Sequence, residues 1–201
     1  MTHWSVLAID QSATSTGWAH LAKGQRAPTW GKFTLPSWQD REGECLWKWF
    51  TWLGEKATEI KITNLILEDT FIPTHNETLT QRIAQYGQIG MADAVAHLCN
   101  TSKGMAVEFT VVKPGVWRAA FLGSAQPPKG LVQHQRRTWL KERAVAECHR
   151  RGWSVDSHDV ADALGILAYA CGAIDPAFAT QQGPLFRRAE MQCEEERRSS
   201  R

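Results

Sequence analysis

Twice in this chain a short apolar run ends on an acid. Val6-Leu7-Ala8-Ile9 leads into Asp10, and Leu65-Ile66-Leu67 leads into Glu68. Such runs read as strands buried on both faces, which places them inside an α/β sheet flanked by helices. An ionised carboxylate at the end of a buried strand is costly unless a cation meets it. A metal ion is an economical partner, because it accepts several oxygens at once. Asp10 alone reads equally as a turn cap ahead of Ser12 and Thr14. Two buried strands that both end on acids are much harder to put down to accident. Neighbouring parallel strands lie about 4.8 Å apart, so the two carboxylates can share a cation. Without one they resist joint ionisation.

Periodicity lays out the rest. Residues 4–10, 17–22 and 29–35 form three strands of an antiparallel meander. Leu46, Trp49, Phe50, Leu53 and Ala57 recur along one face of a helix over 40–60. After the strand at 65–68 comes a loop with Pro73, then a long helix over 77–99. Its interior Gly87 and Gly90 predict close packing against another backbone. Residues 105–112 are a further strand, and Pro114 opens a short helix carrying Val116, Trp117 and Ala120. Residues 122–134 read as an exposed basic loop, and 135–151 as a basic amphipathic helix. Ser157 or His158 caps a packed helix running to about Ala173. From Asp175 the chain turns polar and charged. One folded unit over 1–174 and a flexible tail over 175–201 are the expectation.

The net charge of +2 says little, but residues 113–152 hold nine Lys/Arg against two acids. A surface facing a polyanion has this asymmetry, and so does a solvated helix face. Five cysteines, an odd number with no CxxC pair, argue against a disulfide framework and a zinc site, and fit a reducing cytoplasm. The first residues lead straight into a strand, so no signal peptide is expected. No apolar run approaches membrane length, so no membrane partner is expected.

Asp159 and Asp162 are three apart, so both project from one face of the last helix's first turn. Val160, Ala161, Ala163 and Leu164 mark that helix as packed. One acid at a helix N-terminus is what the dipole favours; two on a packed helix ask for more. Asp10, Glu68, Asp159 and Asp162 are therefore an all-oxygen set on rigid elements, suited to Mg2+ or Mn2+, two ions per site. Such a cluster equips a protein for two-metal phosphoryl transfer. The order of elements is that of the ribonuclease H-like fold, with a mixed five-stranded sheet of three antiparallel and two parallel strands.

On these residues the chain resembles the RuvC family of Holliday-junction resolvases, particularly its phage and prophage members, over about residues 5–172. The family pattern Ile-Asp-x-Ser-x-x-x-x-Gly falls on Ile9 to Gly17, its Glu-x-x-Phe on Glu68 to Phe71, and its Asp-x-x-Asp-Ala-Leu on Asp159 to Leu164. The resemblance implies a catalytic metal tetrad at the four acids. It also implies that Phe71 stacks on a base at an opened junction, a contact worth ~1–3 kcal/mol. By residue type alone Phe71 equally suits a core position closing its loop. The family's Pro-x-x-Val-Lys, a Gly five residues on and a Lys in the next loop are matched by Pro114 to Arg118, Gly123 and Lys129. Arg118 stands for the usual lysine, and the two are not interchangeable at a phosphate site. Arg118, Lys129, Arg136 and Arg137 are the candidate DNA contacts. His158, beside the acids, assists a water, caps the helix or steadies a ligand by a hydrogen bond.

The implied activity is hydrolysis of phosphodiester bonds in four-way DNA junctions. A homodimer is implied, since two symmetric nicks need two active sites. The setting would be recombination, repair or phage DNA processing in a bacterial or phage-infected cell. Other branched DNA or an RNA–DNA hybrid is compatible with the same chemistry. An actin-like ATP-binding protein would share the Asp10 turn but needs a second Asp-x-Gly strand–turn, which does not occur. A non-catalytic junction binder would lack one of the acids. In the tail, Gln182, Leu185 and Phe186 fit the Gln-x-x-Leu-Phe pattern by which bacterial proteins dock on the replication sliding clamp.

Overall fold

The strand that ends on Asp10, β1 (Ser5–Asp10), is the middle strand of a five-stranded sheet. The computed structural model describes residues 3–36, 41–70 and 79–181. Strands β2 (Ser15–Ala22) and β3 (Thr29–Thr34) continue the sheet antiparallel on one side of β1. On the other side β4 (Asn64–Glu68) and β5 (Glu108–Val112) run parallel to it. The order β3-β2-β1-β4-β5 gives the mixed sheet of three antiparallel and two parallel strands expected from the sequence.

Side chains alternate across a sheet, and here the alternation decides where the acids point. Leu7, Ile9, Leu65 and Leu67 enter one core with Trp49, Leu53 and Ala57 of α1 (Glu42–Glu59) and Ala92, Val95 and Ala96 of α2 (Leu79–Ser102). Val6, Ala8 and Ile66 enter the opposite core. There they meet α3 (Pro114–Leu122), α4 (Gln133–Arg150) and α5 (His158–Ile174). Asp10 and Glu68 follow the parity of Ala8 and Ile66, so both face the α5 layer. In register Ile9 lies beside Leu67, which makes the two acids neighbours at the strands' C-terminal ends.

Helix α5 is buried nearly all round, with ten buried residues, because it fills the space between β1, β2, α3 and α4. A glycine seats its first turn. A Cβ on Gly17 would lie 2.0 Å from the carbonyl oxygen of Asp159, so only Gly at the β2 position paired with Asp10 admits the helix this close. Gly165 does the same for α3: a Cβ there would enter the ring of Trp117 at 2.4 Å. The close approaches predicted for α2 are absent. The atoms nearest a Cβ on Gly87 belong to the flexible side chain of Leu46, and Gly90 faces open space.

Trp52 stacks on Phe33 of β3 with ring centroids 4.4 Å apart, whereas Trp47 stays exposed. The folded part also runs past residue 174. Helix α6 (Pro176–Gln181) brings Phe178 edge-on to Trp4 at 6.2 Å, and the Trp4 indole donates to Asp175 at 3.3 Å. Six residues are too few for a helical period to show in sequence. Among the described residues no helix is long and apolar enough to cross a membrane.

Candidate active site

The C-terminal ends of β1 and β4 and the first turn of α5 meet at a cleft of about 490 Å3. Asp10, Glu68, Asp159 and Asp162 all line it. Asp10 and Glu68 end neighbouring parallel strands side by side, one residue beyond the paired Ile9 and Leu67. Burial first, then the carboxyls of Glu68, Asp162 and Asp159, push Asp10 well above the ordinary carboxyl range. Burial likewise raises Glu68, against the opposing pull of Arg118 and the Trp117 indole. Asp162, only 5% exposed, is pushed up to about 7, again by burial first, with Arg118 opposing and Glu68 adding to the rise. Asp10, Glu68 and Asp162, drawn together out of water, hold protons they would otherwise give up, the expected behaviour of carboxylates crowded without a cation.

Directed contacts hold Glu68, Asp159 and Asp162. The Trp117 indole N–H donates to Glu68 Oε1 at 2.7 Å. Arg118 donates from one terminal nitrogen to Glu68 Oε1 at 3.3 Å and to Asp162 Oδ2 at 3.4 Å. Ser15 Oγ donates to Asp159 Oδ2 at 2.8 Å, and Lys141 Nζ lies 3.9 Å from Asp159 Oδ1. Gln11 ties the turn after β1 to β4 by donating to the backbone carbonyl of Glu68 at 2.6 Å.

The donor set fits a hard divalent cation in kind: four carboxylates on three rigid elements. Two further oxygens support this. Gln11 and Thr70 line the cleft, and each buries a side-chain oxygen that makes no hydrogen bond. Yet among the described residues no three Asp, Glu, His or Cys side chains are gathered as a metal would hold them. Arg118, reaching both Glu68 and Asp162, supplies positive charge there instead.

Two solved structures share this architecture. The Thermus thermophilus RuvC structure matches with a TM-score of 0.55 at 20% identity, over 85% of this chain and 95% of that one. T. thermophilus RuvC in complex with Holliday junction substrate matches with a TM-score of 0.54 at 16% identity, over 90% and 96%. The fold is that of RuvC. No family model matches the sequence, and no curated protein is significantly similar to it.

On the RuvC fold the candidate DNA contacts separate. Arg118 and Arg137 line the cleft. Arg136 turns back to donate to the Leu131 carbonyl at 2.7 Å, and Lys129 stands exposed in the loop before α4. His158 is exposed at the first residue of α5; the N-cap is Ser157, which makes no side-chain capping bond. Phe71, Gln182, Leu185 and Phe186 lie outside the described residues. A second hollow of about 600 Å3, lined by Trp47 and Phe50, lies on α1, on the sheet's other face.

Sequence reasoning missed Trp117, Lys141 and Ser15 as partners of the acids. Lys141 was legible in part: it follows Arg137 by four residues and precedes Ala144 by three, and Ala144 faces the core. Ser15 and Trp117 carry no signal of their own, since their partners are 144 and 49 residues away.

Proposed function

We propose that this chain is a structure-selective DNA endonuclease that hydrolyses phosphodiester bonds at four-way junctions. The observation that carries the reading is the meeting of Asp10, Glu68, Asp159 and Asp162 in one cleft on the RuvC fold, with Arg118, Arg137 and Lys141 along the same walls. Carboxylates at such a site repel a phosphate unless cations intervene, while the basic side chains draw the DNA backbone in. Two Mg2+ or Mn2+ ions, held by the four carboxylates, would supply water activation and stabilisation of the leaving oxygen.

The chain's own residues prepare that chemistry. Trp117 orients Glu68, and Ser15 orients Asp159, so neither carboxylate needs reorganising when phosphate arrives. Arg118 and Lys141 are placed to meet charge on the phosphate. Arg137, one turn before Lys141 on α4, extends the contact along the backbone. Phe71 stacks on a base of the opened junction, and His158 assists a water or steadies a ligand by a hydrogen bond. The active species is a homodimer, giving one nick per subunit, and Gln182, Leu185 and Phe186 dock the tail on a sliding clamp. The setting is DNA recombination, repair or phage DNA processing in the bacterial cytoplasm.

Purified protein is incubated with labelled four-way junction, fork, linear duplex and RNA–DNA hybrid, in Mg2+, Mn2+ or chelator. Paired nicks in the junction, only with metal, are expected. Asp10→Asn and Asp162→Asn abolish cleavage and leave junction binding intact or tighter. Cleavage that survives both substitutions refutes the assignment of the site. Linear duplex cut as readily as junction refutes the structure selectivity.

A further inference from the structure

The acid cluster carries a cation of its own. Arg118 places one guanidinium nitrogen between Glu68 and Asp162, at 3.3 and 3.4 Å. We infer that Arg118 is a tethered counter-ion that couples metal binding to DNA binding. It neutralises Glu68 and Asp162 before metal arrives, and passes to a DNA phosphate once metal is held. This inference rests on the nuclease reading above.

Four features of the site support it. Both contacts sit near the outer limit of hydrogen bonding and share one nitrogen, unlike the tight two-pronged fork by which arginine clamps a single carboxylate. They neutralise charge but are released at low cost. The guanidinium also lies over the Trp117 ring, 4.8 Å from its centre, so it keeps an aromatic surface when it leaves the acids. Trp117 is fully buried, held against Gly165, and therefore stays in place. Glu68 meanwhile retains the indole N–H at 2.7 Å and does not lose its orientation. Finally, the Arg118 side chain is 22% exposed, open to the cleft that phosphate would enter.

A guanidinium and a divalent cation between the same two carboxylates repel each other, so binding of one weakens the hold of the other. Linkage makes the effect reciprocal. A phosphate that draws Arg118 away raises metal affinity by the factor by which metal raises DNA affinity. A lysine would serve the first role with a single point charge. An arginine also has donors to spare for phosphate while it turns on the Trp117 face.

The test uses the full chain and reads binding, not cleavage. Mn2+ affinity is measured without DNA, from the electron paramagnetic resonance signal of free Mn2+, for wild type, Arg118→Met and Arg118→Lys. With the competing charge gone, Arg118→Met binds its first Mn2+ about tenfold more tightly than wild type. Arg118→Lys, which keeps the charge, stays within about threefold of wild type. Junction affinity is then read by fluorescence anisotropy in chelator and in Ca2+. Ca2+ tightens wild-type binding at least about fivefold more than it tightens Arg118→Met binding. Equal or weaker Mn2+ affinity in Arg118→Met overturns the inference, as does an equal Ca2+ effect in the two proteins. Wild-type protein that binds no Mn2+ at all refutes the nuclease reading and the inference together. Wild-type Mn2+ binding that Arg118→Met leaves unchanged refutes the inference alone.

Discussion

Replacing Asp162 by Asn should make the metal-free protein more stable at neutral pH, although it destroys the site. Asp162 is 5% exposed and its carboxyl is pushed from 3.8 to about 7, so at neutral pH the fold bears the cost of ionising it. That displacement corresponds to about 4 kcal/mol once the carboxyl is fully ionised in both folded and unfolded chains. Asn is neutral in both states and avoids the cost. The opposing pull of Arg118, which donates to this carboxyl at 3.4 Å, is already contained in that figure and is not subtracted again. The gain is therefore up to about 4 kcal/mol, with a melting temperature raised by roughly 2–4 °C per kcal/mol for a chain of this size. The sign follows from a raised carboxyl. Below the unfolded value both states are neutral and nothing is lost. As pH climbs from the unfolded value of 3.8 toward about 7, the unfolded chain is ionised while the folded carboxyl still holds its proton, and the fold loses stability until both are ionised. Calorimetry in chelator from about pH 4 to about pH 8 should show wild type and Asp162→Asn converging at the acid end and parting above it. Adding Mg2+ should then raise wild type and leave the variant largely unmoved. A variant less stable than wild type in chelator at about pH 8 would refute the claim that crowded burial, not pairing with Arg118, dominates at this residue.

Three further outcomes follow from the geometry. Gly17→Ala drives a Cβ into the Asp159 carbonyl, so it should cost ~1–3 kcal/mol of stability by denaturant titration and reduce junction cleavage more than junction binding. Lys141→Met should lower the cleavage rate and flatten the salt dependence of junction binding by about one unit of slope, whereas Lys129→Met, outside the cleft, should leave the cleavage rate nearly unchanged. Arg137→Glu should weaken junction binding more than Arg136→Glu, since only Arg137 lines the cleft; equal effects in a salt titration would show that the cleft is not where DNA lies.

The acids were legible because strand parity and helical spacing are local rules that the whole fold obeys. Asp10 and Glu68 each close an apolar run whose alternation assigns them to a face, and Asp159 and Asp162 share a helix turn. Composition and motif therefore led to four side chains that the fold gathers in one cleft. Their partners obey no such rule. Arg118 is five residues into α3, and its place between Glu68 and Asp162 depends on how α3 lies across α5. That in turn depends on Trp117 meeting a glycine at 165. Gly17 is a similar case: a family pattern includes it, but its reason, a backbone carbonyl 2.0 Å from a missing Cβ, exists only once β2 and α5 are packed. Likewise Arg136 and Arg137 are adjacent and chemically identical in sequence, and only the azimuth of α4 sends one to the cleft and the other back to Leu131. Which acids meet in this cleft is thus written in local strand and helix periodicity, while the cleft's charge balance is written between helices. A change in helix packing can therefore retune the charge of the cleft without touching any of the four acids.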